Sequence, residues 1–239
     1  MPAPVPTIVL VHGAFSDTSG WLGVIDELQR QGLTVIAVAT PLRGLASDAA
    51  YVASVTGRID GPVIMVGHSY GGALITVAGV TDNVVALVYV AAHILERGES
   101  PAELEGRFPP PALAGHLRRG TCTASAGGLV DEVSIDPEAF PTVYAADVSA
   151  SVARVLAAAQ RPLVVAAFEE KATAAAWHTK PVWALVAGAD RAINPDVERF
   201  GAERAGAVVV ELDGASHAVA VSRPKDVADL ILDAVRATG

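Results

Sequence analysis

A doubly wound α/β domain, with helices on both faces of an essentially parallel six-stranded sheet, is the fold this sequence predicts. Three observations lead there. Six short Val/Ile/Leu-rich runs lack polar alternation, as strands buried on both faces do. Segments with helical period lie between most of them, so strand and helix alternate. One long excursion, from Ala92 to Pro181, breaks that alternation after the fourth run.

The elements follow in chain order. Ile8 to Val11 is the first strand run, and Trp21, Leu22, Val24, Ile25 and Leu28 form the apolar stripe of a helix in which Trp21 is a core residue. Thr34 to Ala39 and Val63 to Val66 are the second and third runs. Leu74, Ile75, Val77 and Ala78 start the helix after the third, and Val84 to Ala91 is the fourth run. The excursion holds Phe108-Pro109-Pro110-Pro111, Gly127-Gly128 and an Ala-rich helix from Val148 to Gln160. We expect residues from about 94 to 160 to form a helical cap inserted in a single 1–239 domain, over the carboxyl edge where open sheets bind ligands. Val182 to Val186 and Ala207 to Leu212 complete the sheet. A final helix from Pro224 to Ala237 opens on a first-turn Pro and buries Val227, Leu230, Ile231 and Val235.

Composition narrows the function. The 239 residues are 51% hydrophobic, enough for one large core, and the net charge of −9 opposes nucleic-acid or anionic-membrane partners, which need clustered Lys and Arg. Mean hydropathy is positive at +0.42, yet the longest apolar run, Val84 to Ala92, is far short of the ~20 residues of a spanning helix. The segment Met1 to Thr7 has no basic export signal, and the single cysteine, Cys122, has no activating base beside it and excludes an internal disulfide. These features predict a cytoplasmic protein. Histidines and acids show no metal-ligand spacing, so neither metal nor cofactor is expected. Alanine richness with 14 Arg against 3 Lys suits a GC-rich bacterial genome, and the choice between monomer and homodimer stays open.

The chemistry is concentrated at strand ends. Gly67-His68-Ser69-Tyr70-Gly71 is a G-x-S-x-G between a strand run and a helix; the pattern alone is weak, but this context makes Ser69 the candidate nucleophile. A serine hydroxyl needs an imidazole to take its proton and a carboxylate to orient that imidazole. His217 follows the last strand run through Asp213-Gly214-Ala215-Ser216, and Asp190 follows the fifth. Asp213 is the rival acid, only four residues from His217 and badly placed to reach the far side of its ring. The turn His12-Gly13-Ala14-Phe15 offers the Ala14 amide, alongside that of Tyr70, as oxyanion donors. His12 and His68 are expected to hold loops in place. His93 either borders the pocket or packs at a strand end, and Phe15, Phe108, Phe140, Tyr144, Trp177 and Ile193 are candidate apolar lining or core.

Four ordered motifs, Val11-His12-Gly13-Ala14-Phe15 with Trp21, Gly67 to Gly72, Gly188-Ala189-Asp190 and Gly214-Ala215-Ser216-His217, make the chain resemble the α/β-hydrolase fold superfamily. Specifically, it resembles the small branch that includes plant methylesterases, hydroxynitrile lyases and bacterial serine esterases. The resemblance implies a helical cap, an acyl-enzyme mechanism and a small ester-like substrate. The first strand run starts at Thr7, which leaves no room for the two leading strands of larger members and again gives six strands. Hydroxynitrile lyases carry Lys after the catalytic His and Thr in the oxyanion turn, where this chain has Ala218 and Gly13; dehalogenases and epoxide hydrolases carry Asp where Ser69 stands. The expected activity is therefore hydrolysis of a small carboxylic ester or lactone. A lyase or cofactor-independent oxygenase using His217 as base, or a ligand sensor with a slow triad, is the competing expectation.

Overall fold

The computed structural model describes residues 4–124 and 126–239; Met1 to Ala3 of the N-terminal segment read above lie outside the described residues. Strands β1 (Thr7–Val11), β2 (Val35–Val38), β3 (Val63–His68), β4 (Val84–Val90), β8 (Val182–Ala187) and β9 (Val208–Leu212) form one sheet in the order β2-β1-β3-β4-β8-β9, with every pairing parallel. The alternation of side chains explains the continuous apolar runs. Ile8 and Leu10 face a core with Trp21, Val24 and Leu28 of helix α1 (Leu22–Arg30) and with Val227 and Ile231 of α10 (Pro224–Thr238). Val9 and Val11 face the opposite core, with Leu45 and Val52 of α2 (Leu45–Thr56), Leu74 of α3 (Tyr70–Ala78) and Val197 of α8 (Pro195–Arg204). Both sets are fully buried, so no polar residue is tolerated in between. The edge strand β9 departs from this rule: Val208 and Val209 are exposed.

Strand order sets the place of the site. The chain runs from β1 outward to β2 and returns to β3 on the other side of β1, so the loops after β1 and β3 diverge and leave a crevice at their carboxyl ends. The segment between β4 and β8 lies over that crevice. It holds helices, as expected from sequence, and a small sheet that was not expected. Besides α4 (Pro101–Glu105), α5 (Phe140–Val143), α6 (Ala150–Ala159) and α7 (Ala166–Glu169), it carries a three-stranded antiparallel sheet of β5 (Leu117–Thr123), β6 (Leu129–Ile135) and β7 (Leu163–Val164). β5 hid from a hydropathy reading because nearly all its residues are exposed. Gln160 ties the end of α6 to β6, bonding both the amide and the carbonyl of Ile135 at 2.8 and 2.9 Å. A small core of Leu113, Ile135, Phe140, Val143, Tyr144 and Ala153 reaches the main domain at Ala192 and Ala218. Between α8 and α10 lies the short helix α9 (Val219–Ser222). Among the described residues no helix is long and apolar enough to cross a membrane.

Candidate active site

Ser69 stands alone between the end of β3 and the start of α3, with φ 57° and ψ −124°. A non-glycine residue there carries strain of about 1 to 3 kcal/mol, which surrounding structure must hold. The hold is visible. Ser69 donates its amide to the Val90 carbonyl at 3.2 Å, and its own carbonyl accepts from the Gly72 and His93 amides at 2.9 and 3.3 Å. Gly71 lets the turn close against β1, because a Cβ there would lie 2.3 Å from the Val11 carbonyl oxygen. Gly13 does the same from the opposite loop: a Cβ at 13 would meet the Ser69 Cβ at 2.6 Å and its Oγ at 3.1 Å.

That second loop is braced by His12. Its Nε2 accepts from the Thr40 amide at 3.0 Å, which assigns the hydrogen to Nδ1, and Nδ1 donates to the Gly13 carbonyl at 2.8 Å. Burial pushes this imidazole below its ordinary pKa, so it serves as a neutral bracket. Ala14 therefore sits at a fixed place beside Ser69. Among the described residues, neither the Ala14 amide nor the Tyr70 amide donates to a protein acceptor. Both remain available to a ligand oxygen.

Asp190 and His217 meet across the ends of β8 and β9. The Nδ1–H of His217 donates to Asp190 Oδ2 at 2.5 Å, while Oδ1 accepts the amides of Ala192 and Ile193 at 2.6 and 2.9 Å. Three donors fix the carboxylate, and a hydrogen on Nδ1 leaves Nε2 with a free lone pair. Asp213, the rival acid, is exposed. The loop bearing His217 is pinned from several sides: His68 Nε2–H donates to the His217 carbonyl at 2.8 Å, Ala218 donates its amide to the Tyr144 carbonyl at 3.0 Å, and Ser216 donates to Asp147. Burial, and then the neighbouring charge of His217, push His68 down to about 3, so it stays neutral as a support.

Ser69 and His217 line one cavity of about 200 Å³, together with Ala14, Phe15, His93 and Ile193. Four other expected lining residues lie elsewhere. Phe140 stacks on Tyr144 with ring centroids 4.6 Å apart, and Tyr144 presents its face or edge to His217 at 4.8 Å, so both back the histidine from within the cap core. Phe108 packs on Phe200 at 5.7 Å, and Trp177 donates Nε1–H to the Leu95 carbonyl at 2.8 Å. Their place is taken by cap residues that no motif marked, including Leu113, Leu117, Val133, Leu163 and Phe168. The polar exceptions are Arg119 and the pair His93–Glu105, whose Nε2 and Oε1 are 2.8 Å apart. A histidine at a strand end was visible in sequence; its partner, on α4 in the cap, carried no signal.

Comparison with known proteins places this geometry. The alpha/beta hydrolase family matches the chain over residues 8–230. No curated protein matches it by sequence. Among solved structures, polyneuridine aldehyde esterase superposes with a TM-score of 0.83 at 18% identity, over 97% of this chain and 99% of that one. A pyrethroid hydrolase from Sphingobium faniae JZ-2 gives 0.79 at 21% identity, over 98% of each chain. A methylesterase from Arabidopsis gives 0.79 at 19%, over 97% and 99%. With the serine elbow, the strand order and a family match over nearly its whole length, this chain belongs to the alpha/beta hydrolase family.

Proposed function

We propose that this protein is a serine hydrolase cleaving a small carboxylic ester or lactone through an acyl-enzyme, within a single domain whose cap runs between β4 and β8. The observation that carries this reading is the His217 Nδ1 to Asp190 Oδ2 contact of 2.5 Å, made by a histidine that shares a cavity with the strained Ser69. His217 Nε2 takes the Ser69 proton as Oγ attacks the ester carbonyl, and Asp190 stabilises the imidazolium. The Ala14 and Tyr70 amides hold the oxyanion. Collapse of the tetrahedral intermediate expels the alcohol, which receives the proton from His217; water, deprotonated by the same nitrogen, then releases the acid and restores Ser69. Nucleophile, base, acid and oxyanion donors are all groups of this chain, so the reaction draws on no metal or cofactor. The structural relatives, an esterase, a pyrethroid hydrolase and a methylesterase by name, are consistent with this chemistry.

The apolar walls, with Phe15, Leu163, Phe168 and Ile193, favour a hydrocarbon group beside the scissile bond. A turnover screen of esters and lactones varied in acyl length and leaving group, with Ser69→Ala as blank, tests the assignment. We expect hydrolysis that vanishes in the blank; equal turnover by the blank would refute the serine mechanism.

A further inference from the structure

Asp48, Glu99 and Glu198 are buried acids that this mechanism does not use, and Glu198 is the one that Asp190 acts on. Glu198, on α8, is 2% exposed. Its Oε2 accepts the amide of Ala187, at the end of β8, at 2.9 Å. Its Oε1 is sealed from solvent and, as an acceptor, has no hydrogen-bond partner among the described residues. The carbonyl of that same Ala187 accepts the Asp190 amide at 3.0 Å, so the two buried acids meet at the end of β8, where the Asp190 charge acts on Glu198.

Two carboxyl groups that meet inside a protein cannot both carry charge without a heavy cost, so one holds a proton. The donors decide which. Asp190 accepts from the Ala192 and Ile193 amides and from His217, which turns cationic during turnover. Glu198 has one amide. Arg199, the cation that acts on Glu198, is held by Asp196 and Glu211 at 2.6 and 2.5 Å. Burial first, and then the charge of Asp190, hold the Glu198 carboxyl well above the ordinary carboxylate range. A hydrogen on Oε1 resolves the orphaned atom, since it converts a surplus acceptor into a donor next to Asp190.

We propose that Glu198 is a positioning residue: it remains protonated and donates a hydrogen bond to Asp190, steadying the carboxylate that orients His217 without adding a second negative charge to the site. The proposal rests on the reading of Asp190 as the acid of the Ser69–His217–Asp190 triad. It assigns Glu198 a role that its acidity would hide, because a carboxylic acid kept neutral acts here as an amide would.

The test compares Glu198→Leu with Glu198→Gln. Loss of a hydrogen bond to a charged group predicts that Glu198→Leu lowers kcat roughly 10- to 100-fold with little change in KM, and that Glu198→Gln, which keeps a neutral donor, recovers kcat to within a few-fold. The acid limb of the kcat/KM profile, set by His217, should coincide in the native and Gln proteins. An ionised Glu198 would instead hold that limb up, so its replacement by Gln would slide the limb to lower pH by about one unit. That slide, or a Gln variant as impaired as the Leu variant, overturns the proposal. Infrared difference spectra of native protein against Glu198→Gln give a readout free of activity and of the Leu variant's folding: a protonated-carboxyl band at pH 7 is expected, and its absence overturns the proposal. If Ser69→Ala retains turnover while that band persists, it is the triad reading that falls and the neutral Glu198 that stands.

Discussion

The sheet's carboxyl edge and the cap above it face the same cavity, and they are built on opposite terms. At the edge, every proposed reacting group sits one to five residues past a strand: Ala14 after β1, Ser69 after β3, Asp190 and His217 after β8 and β9. Ser69, Asp190 and His217 are each held by hydrogen bonds to their own backbone, and the hold is redundant at Ser69, where the amide and the carbonyl are both engaged. The cap has short helices, a small sheet with an exposed outer strand and its own small core. It contributes most of the cavity's apolar wall and none of the proposed catalytic groups. On the proposed reading, chemistry belongs to the sheet's edge and selectivity to the cap.

Four predictions break or sharpen that division. The largest effect belongs to the edge: Ser69→Ala or His217→Ala should lower kcat about 10⁴- to 10⁶-fold, since triad members act as a unit, while thermal unfolding stays near native. Asp190→Asn should cost about 10⁴-fold by leaving His217 in the wrong tautomer, read from kcat at saturating substrate. A cap change should act differently. Phe168→Ala enlarges the wall beside His93, from which its ring stands 5.4 Å, and should alter the ratio of kcat/KM between short and long acyl esters by roughly 10- to 200-fold while kcat for the best ester changes little. A uniform loss across all esters would show that the cap shapes catalysis itself.

The smallest effect is on stability. The Glu198 carboxyl is raised in the folded protein and ordinary in the unfolded chain, so its contribution is full below the unfolded pKa and declines as pH rises toward the folded one. Glu198→Gln lacks that decline. Denaturant titrations should therefore show the variant gaining on the native protein with rising pH above the ordinary carboxylate range, by at most about 1.4 kcal/mol per pH unit. A pH-independent difference would mean that both states of Glu198 titrate alike.

The same contrast governs how much could be read from sequence. The core strands were legible because both of their faces are buried, which leaves only apolar residues, and the structure shifts their ends by no more than two residues. The candidate triad was legible because strand ends are recognisable and each member follows one. Phe140 and Tyr144 could be read as lining or as core and fall in the core, for an aromatic residue in a cap can face either the cavity or the cap's own core, and composition does not separate the two. β5 was missed because Leu117 to Thr123 lies mostly in solvent. Glu198 was invisible for a simpler reason: an acid between Val197 and Arg199 on an amphipathic helix reads as solvent-facing, and only the packing of α8 beneath Asp190 reverses that.

The claim that the edge carries the chemistry rests on Ser69 as the nucleophile, and covalent capture tests it directly. A fluorophosphonate should add once, to the peptide holding Ser69, with loss of turnover in step with labelling and no adduct in Ser69→Ala. An adduct on another residue, or full turnover in protein without a labelled Ser69, would contradict the account.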